Sequence, residues 1–127
     1  RDFIDQGIIA AAGSDSPITD YNPLLGIHTA VNRKTSNGVP VGENQAIEIL
    51  EAIRMYTYNG AYASFEENIK GSIEPGKLAD LVILSDSILH VEKSNIKDLQ
   101  VDVTMIDGKV VYNRYSNLQG VENIEVY

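Results

Sequence analysis

The sequence predicts an α/β piece followed by a β piece, with the character of the chain changing near residue 70. Three observations carry this reading. Gly71–Leu84, GSIEPGKLADLVIL, is turn chemistry feeding directly into an almost continuously apolar run. Asn44–Tyr56 repeats its apolar residues at helical spacing. Val101–Asn113 reads as two strand-like runs around Asp107-Gly108, the composition of a two-residue hairpin turn. Residues 1–69 then read strand, helix, helix, and residues 70–127 read as three or more strands joined by tight turns.

Taken in order, Arg1–Gln6 suits the last turn of a helix, with Gly7 as its stop. Ile8–Gly13, IIAAAG, is a short apolar run that predicts a buried strand, ended by the polar turn Ser14-Asp15-Ser16-Pro17. Asn22 is a helix N-cap with Pro23 at the first helical position, and Leu24, Leu25, His28 and Val31 mark the apolar-leaning face that follows. Lys34–Gly42 is a turn-rich loop. In the helix predicted for Asn44–Tyr56, Ala46, Ile49, Leu50 and Ile53 line one side, with Glu48, Glu51 and Arg54 on the other. Met55–Phe65, MYTYNGAYASF, allows two structures. Asn59-Gly60 between aromatic and Thr residues is a hairpin signal, whereas the Ala content and the preceding helix favour a second helical turn.

In Glu74-Pro75-Gly76-Lys77, Pro75 presets φ at the second position of a type II turn and Gly76 supplies the positive φ of the third. The apolar run Ala79–Leu84 predicts a strand buried on both faces, hence the central strand of the sheet. Ser94 or Asn95 caps a short helical turn through Leu99. Val101–Ile106 and Lys109–Asn113 form the hairpin, and Ile124–Tyr127 is a candidate final strand.

Composition narrows the function. The chain has 127 residues, enough for one domain with a real core, and 43% of them are hydrophobic. A formal net charge of −8 argues against nucleic acid or an anionic membrane as partner, because both recruit basic patches. There is no cysteine, which excludes disulfides and thiolate metal sites. No apolar run reaches the roughly 20 residues that span a bilayer, and no signal peptide is visible, so a cytoplasmic location is the default expectation. A first residue of Arg1 rather than Met suggests an excised piece.

Asp15 is the candidate catalytic residue, since it stands where an apolar run ends in a loop. In parallel α/β folds that is where ligands bind, and a carboxylate there serves as general base or metal ligand. The competing structural reading makes Ser-Asp-Ser-Pro a plain turn in which Asp15 bonds to backbone N–H groups. His28 and His90, the two histidines, lack the spacing of a metal site and read as surface or packing residues. Tyr56, Tyr58 and Tyr62 read as core or interface filling, and the glycines follow turns rather than a phosphate loop.

Four segments, in this order, carry a resemblance: GSDSPI at Gly13–Ile18, MYTYNGAYASFEE at Met55–Glu67, GSIEPGKLADLVIL at Gly71–Leu84 and TMIDGKVVY at Thr104–Tyr112. Together they resemble the C-terminal end of metal-dependent amidohydrolases, particularly the amidohydrolase family 3 branch. The strand element alone is less specific, since ureases, dihydroorotases and deaminases carry similar ones. The resemblance implies that Ile8–Ser14 is the eighth strand of a (β/α)8 barrel. Asp15 is then the aspartate at its C-terminal end, a metal ligand in the intact enzyme that carries a proton from a metal-activated water to the leaving nitrogen. It further implies a divalent metal, zinc by expectation, and a small-molecule amide-type substrate. Residues 1–69 become the last part of the barrel, and 70–127 part of a composite β-sandwich completed by strands from the enzyme's N-terminus.

The family's His-x-His pair and its later barrel histidines are missing, and neither His28 nor His90 falls at a ligand position. The expectation is a C-terminal fragment, inert alone and binding no metal by itself, whose uncovered apolar surface drives self-association into a strand-exchanged or symmetric dimer. The alternative is a free-standing, non-catalytic structural or interaction module with the same fold.

Overall fold

A computed structural model describes residues 1–116, which form four α-helices, two 3₁₀ helices and a three-stranded antiparallel sheet. The candidate strand Ile124–Tyr127 lies outside the described residues.

Helix α1, Asp2–Asp5, is a single turn closed by glycine. Gly7 adopts φ +72°, and the N–H groups of Gly7 and Ile8 donate to the carbonyls of Ile4 and Phe3, each at 2.9 Å. That pair of bonds is a Schellman closure, the stop expected of Gly7. Helix α2, Pro23–Asn32, starts as its cap residue dictates: the Asn22 side chain accepts the Leu24 N–H at 3.0 Å, and Pro23 occupies the first helical position. Its buried face is Leu24, Ile27 and Val31, while Leu25, expected on that face, is exposed and His28 is half-buried.

The helix expected over Asn44–Tyr56 is shorter. A 3₁₀ turn at Glu43–Gln45 ends at Ala46, whose backbone is extended, and α3 spans Ile49–Tyr56. The break is forced by packing and capping together. Ile47 leaves the helical path to donate to the Ala30 carbonyl and bury its side chain, and the Glu48 N–H donates to Glu51 at 2.8 Å, fixing the helix start. A later start rotates the buried stripe onto Ala52, leaving Leu50 64% exposed where sequence spacing put it inside. After a hitch at Thr57 the chain re-enters helix as α4, Tyr58–Ala63. Asn59-Gly60 is therefore helical, and the second of the two readings of this stretch is the observed one.

The core lies where α2, α3 and the 3₁₀ helix Lys93–Asp98 meet. Ile27, Val31, Ile47, Ala52 and Ile96 are buried there, with Met55, Tyr56, Ile88 and Val91 packed around them. The 3₁₀ helix begins one residue before the expected Ser94 cap, with Glu92 as its N-cap. Asn32 ties it to α2 by donating to the Lys93 carbonyl at 2.8 Å.

The sheet runs β1 (Leu81–Leu84), β2 (Val101–Ile106), β3 (Lys109–Asn113), in that spatial order. The β2–β3 hairpin forms as expected around Asp107 and Gly108, whose φ values of +50° and +73° match a two-residue turn of the primed kind. The turn at Glu74–Lys77 also forms, with Gly76 at φ +91° and the Lys77 N–H on the Glu74 carbonyl. One strand expectation fails, and a second is unmet among the described residues. β1 stands at the edge of the sheet, not its centre, and Val82 and Ile83 are more than half exposed. Its apolar run calls for cover on both faces, and the described residues supply neither the second layer nor a second neighbour. Ile8–Gly13 pairs with no strand among the described residues, because a ladder needs a neighbour and this segment meets helix ends instead.

Candidate functional site

Segment 8–14 leads out of α1 and passes across the junction of α3 and α4. Two bonds hold it there. The Ala12 N–H donates to the Met55 carbonyl at 3.0 Å, and the Asn59 side-chain amide donates to the Ala10 carbonyl at 2.8 Å. Residues 14–22 then fold into a loop stitched by its own polar groups. Ser14 Oγ accepts the Ser16 N–H, Thr19 Oγ1 donates to the Ser14 carbonyl, and Asp20 accepts the Asn22 N–H at 2.8 Å. The Asp15 carbonyl accepts the Ile18 N–H at 2.9 Å, closing a tight turn over Ser16 and Pro17.

Asp15 sits in this loop at φ +57°, a left-handed conformation that aspartate tolerates better than most non-glycine residues. It is exposed, and among the described residues its carboxylate takes part in no hydrogen bond or ion pair. The plain-turn reading needed that carboxylate to bind backbone N–H groups. Ser14, Asp20 and Asn22 do so instead. What Asp15 presents to solvent is a carboxylate acceptor with no partner among the described residues.

Two clefts flank the segment. One, of about 510 Å³, lies under Ile8, Ile9, Ala10, Met55 and Asn59. The other, of about 380 Å³, is bordered by Gly13, Ser14, Thr19, Asp20, Gly26 and Tyr56. Asp15 lines neither cleft.

The histidines do not join Asp15. His28 Nδ1 lies 3.2 Å from the Asn32 amide, and burial, reinforced by the Lys97 charge, lowers its pKa from the ordinary value of 6.5. His90 is exposed and donates its backbone N–H to the Ser87 carbonyl. Among the described residues no three His, Asp or Glu side chains converge as a metal site. A lone carboxylate does not retain a divalent ion against water, so the described residues do not by themselves fit the metal that the resemblance implies.

Of the tyrosines expected to fill core or interface, Tyr56 packs against the core, Tyr58 is half-buried and Tyr62 is exposed. Tyr58 and Tyr62 stack with ring centroids 6.5 Å apart, and Arg54 lies over the Tyr58 ring at 4.5 Å. The sequence marks Asn59 only as half of a hairpin signal, not as a site residue. It is the one buried polar residue of the described chain, 8% exposed, and its partner is 49 residues away. The available signal was a polar side chain in an otherwise Ala- and Tyr-rich helical run.

The sequence profile of the amidohydrolase family matches residues 1–112. YtcJ of Bacillus subtilis, which carries the amidohydrolase name, is 36% identical over 117 residues, covering 90% of this chain and 22% of its own length. An N-substituted formamide deformylase of Arthrobacter pascens is 38% identical over 114 residues, covering 90% of this chain and 21% of its own. A crystal structure of an amidohydrolase from Thermotoga maritima superposes with a TM-score of 0.66 at 26% identity, over 87% of this chain and 24% of that one. The chain thus spans about a fifth of the length of the curated relatives it matches. A match running from Arg1 through the β2–β3 hairpin leaves one conclusion: the chain belongs to the amidohydrolase family.

Proposed function

We propose that this chain supplies the C-terminal part of a hydrolase acting on non-peptide C–N bonds, with Asp15 as its proton carrier. In this reading segment 8–14 is the last strand of a (β/α)8 barrel and Asp15 stands at its mouth. Residues 1–69 complete the barrel, and residues 70–127 contribute to a composite β-sandwich beside it. The observation that carries the reading is the state of Asp15: exposed, held at φ +57° by a loop its own carboxylate does not stitch, and free of internal partners among the described residues.

The relatives point to the bond type. One is named for removing a formyl group from N-substituted formamides, and another, from Thermoanaerobacter pseudethanolicus, is named a 5-methylthioadenosine/S-adenosylhomocysteine deaminase. Both reactions break a C–N bond. Hydrolysis of such a bond takes one proton from the attacking water and gives one to the departing nitrogen. A carboxylate within reach of both performs the two transfers and ends unchanged. Asp15 alone has no means of binding a substrate, so turnover needs residues beyond this chain's own, and the isolated chain is inert.

The test is turnover by the full-length protein on a panel of N-substituted formamides and aminopurine nucleosides, read as formate or ammonia release. Asp15→Asn is expected to lower kcat by about 10²–10⁴-fold, the usual worth of general acid–base catalysis, with the circular dichroism spectrum unchanged. Wild-type turnover in that variant removes Asp15 from the reaction and favours a non-catalytic module.

A further inference from the structure

Asn59 combines three properties that ordinary packing does not explain. It is 92% buried, given its 8% exposure, yet it sits inside a helix where an aliphatic residue fills space without burying polar atoms. Its amide N–H reaches the carbonyl of Ala10, in the segment that ends at Asp15. Its Oδ1 is enclosed and accepts no hydrogen bond among the described residues. The orientation of the amide is settled by chemistry, since only the NH2 side can donate to a carbonyl. The bond to Ala10 is the one hydrogen bond the Asn59 side chain makes among the described residues.

The contact works with a second one. Ala12, two residues on, donates its N–H to the carbonyl of Met55 in the last turn of α3. Among the described residues these two bonds tie segment 8–14 to the helices; in the barrel reading strand neighbours would set its register and these two ties its seat on the helical layer. Of the two, the Ala12 bond is backbone to backbone and does not depend on a side chain. The Ala10 bond depends on one side chain.

We propose that Asn59 is a positioning residue for Asp15, latching Ala10 so that the loop following Ala12 presents the carboxylate in one orientation. This rests on the reading of Asp15 as proton carrier. Proton transfer demands alignment within a few tenths of an ångström, so a rotated segment loses rate without losing substrate. The effect of Asn59 is therefore expected in kcat and not in KM, and only while Asp15 is able to carry a proton.

The test uses the full-length protein and the same formamide and aminopurine panel. Asn59→Ala is expected to lower kcat at least about tenfold with KM within about twofold, and Asn59→Gln, which keeps an amide donor, to recover part of the loss. In an Asp15→Asn background, Asn59→Ala is expected to change nothing further, because the two residues act as a unit. Where Asn59→Ala does not accumulate as folded protein, Asn59→Ser replaces it. Hydrogen exchange of the peptide spanning residues 10–15 reads the latch directly and is expected to quicken in either variant. Unchanged kcat, an equal loss in both Asp15 backgrounds, or wild-type exchange in that peptide overturns the proposal. Full turnover by Asp15→Asn alone instead fails the reading of Asp15 and the catalytic role with it, while the exchange measurement still decides whether the latch exists.

Discussion

Glu51 joins the first residue of the chain to the start of α3. It accepts two bonds from the Arg1 guanidinium, at 3.0 and 2.8 Å, and a third from the Glu48 N–H at 2.8 Å. The Glu48 N–H, then the Arg1 side chain, hold its pKa below the ordinary carboxylate value of 4.5. The folded state therefore prefers the ionised form more than the unfolded chain does. The resulting stabilisation is fully present above the unfolded value and is lost as pH falls through the lowered folded value. Chemical denaturation midpoints measured from about pH 6 to about pH 3 are expected to drop less steeply in Glu51→Gln than in the wild type. A parallel pair of curves means that Glu51 titrates alike in both states. Asp15 was visible in the sequence at the end of its apolar run, and Glu51 as a residue of the polar helix side, though not its bond to Arg1, 50 residues away. Asn59 was not, since its role depends on a carbonyl 49 residues away that no local pattern announces.

Elements pack here through glycines as much as through the apolar stripes. A Cβ on Gly26 would run into the hydroxyl end of the Tyr56 ring, so the ring occupies the room that Gly26 leaves by having no side chain. Gly71 is doubly constrained. Its φ is +91°, and a Cβ there would meet the Ala61 methyl at 2.7 Å and the Tyr58 backbone at 3.1 Å. Gly26→Ala and Gly71→Ala are each expected to destabilise by about 1–3 kcal/mol, the range for overpacking, with the loss at Gly71 the larger because backbone strain adds to the clash. Equal denaturation midpoints in variant and wild type would mean that the helices shift apart freely. The same scale shows what sequence conveys. The α2 cap at Asn22-Pro23, the Gly7 stop and the Asp107-Gly108 hairpin were all legible, because each is settled by a few consecutive residues. The start of α3 was not, since Ile47 leaves the helical path to reach a core it shares with Ile27 and Ile96. The place of β1 in the sheet was illegible for the same reason: apolar content says that a strand wants cover, not whether a neighbour supplies it.

At the scale of the whole molecule, the apolar surface left uncovered is large and not scattered. Val82 and Ile83 on the edge strand, Ile73 ahead of it, and Leu50 on α3 stand 53–87% exposed. Leu50, Ile73 and Val82 border a common groove of about 920 Å³ between α3, α4 and β1. Ile8 and Ile9 are half exposed on the segment leading to Asp15. Apolar surface of this extent on one chain favours association, and an unpaired strand edge offers it a template. Against this stands a formal charge of −8, which repels like copies over roughly the Debye length of 8–10 Å at physiological salt. The two tendencies separate experimentally, because salt weakens the repulsion and leaves apolar burial in place. Sedimentation of the isolated 127-residue chain is expected to show an average mass that rises with protein concentration and rises further with added sodium chloride. Val82→Lys is expected to reverse that rise, since a charge on the exposed edge strand disfavours edge-to-edge pairing. A single monomeric species at every concentration and salt would mean that the groove and the edge are tolerated bare. The surface would then need no covering partner, and the case for this chain as one part of a larger hydrolase would lose the support of its exposed apolar surface.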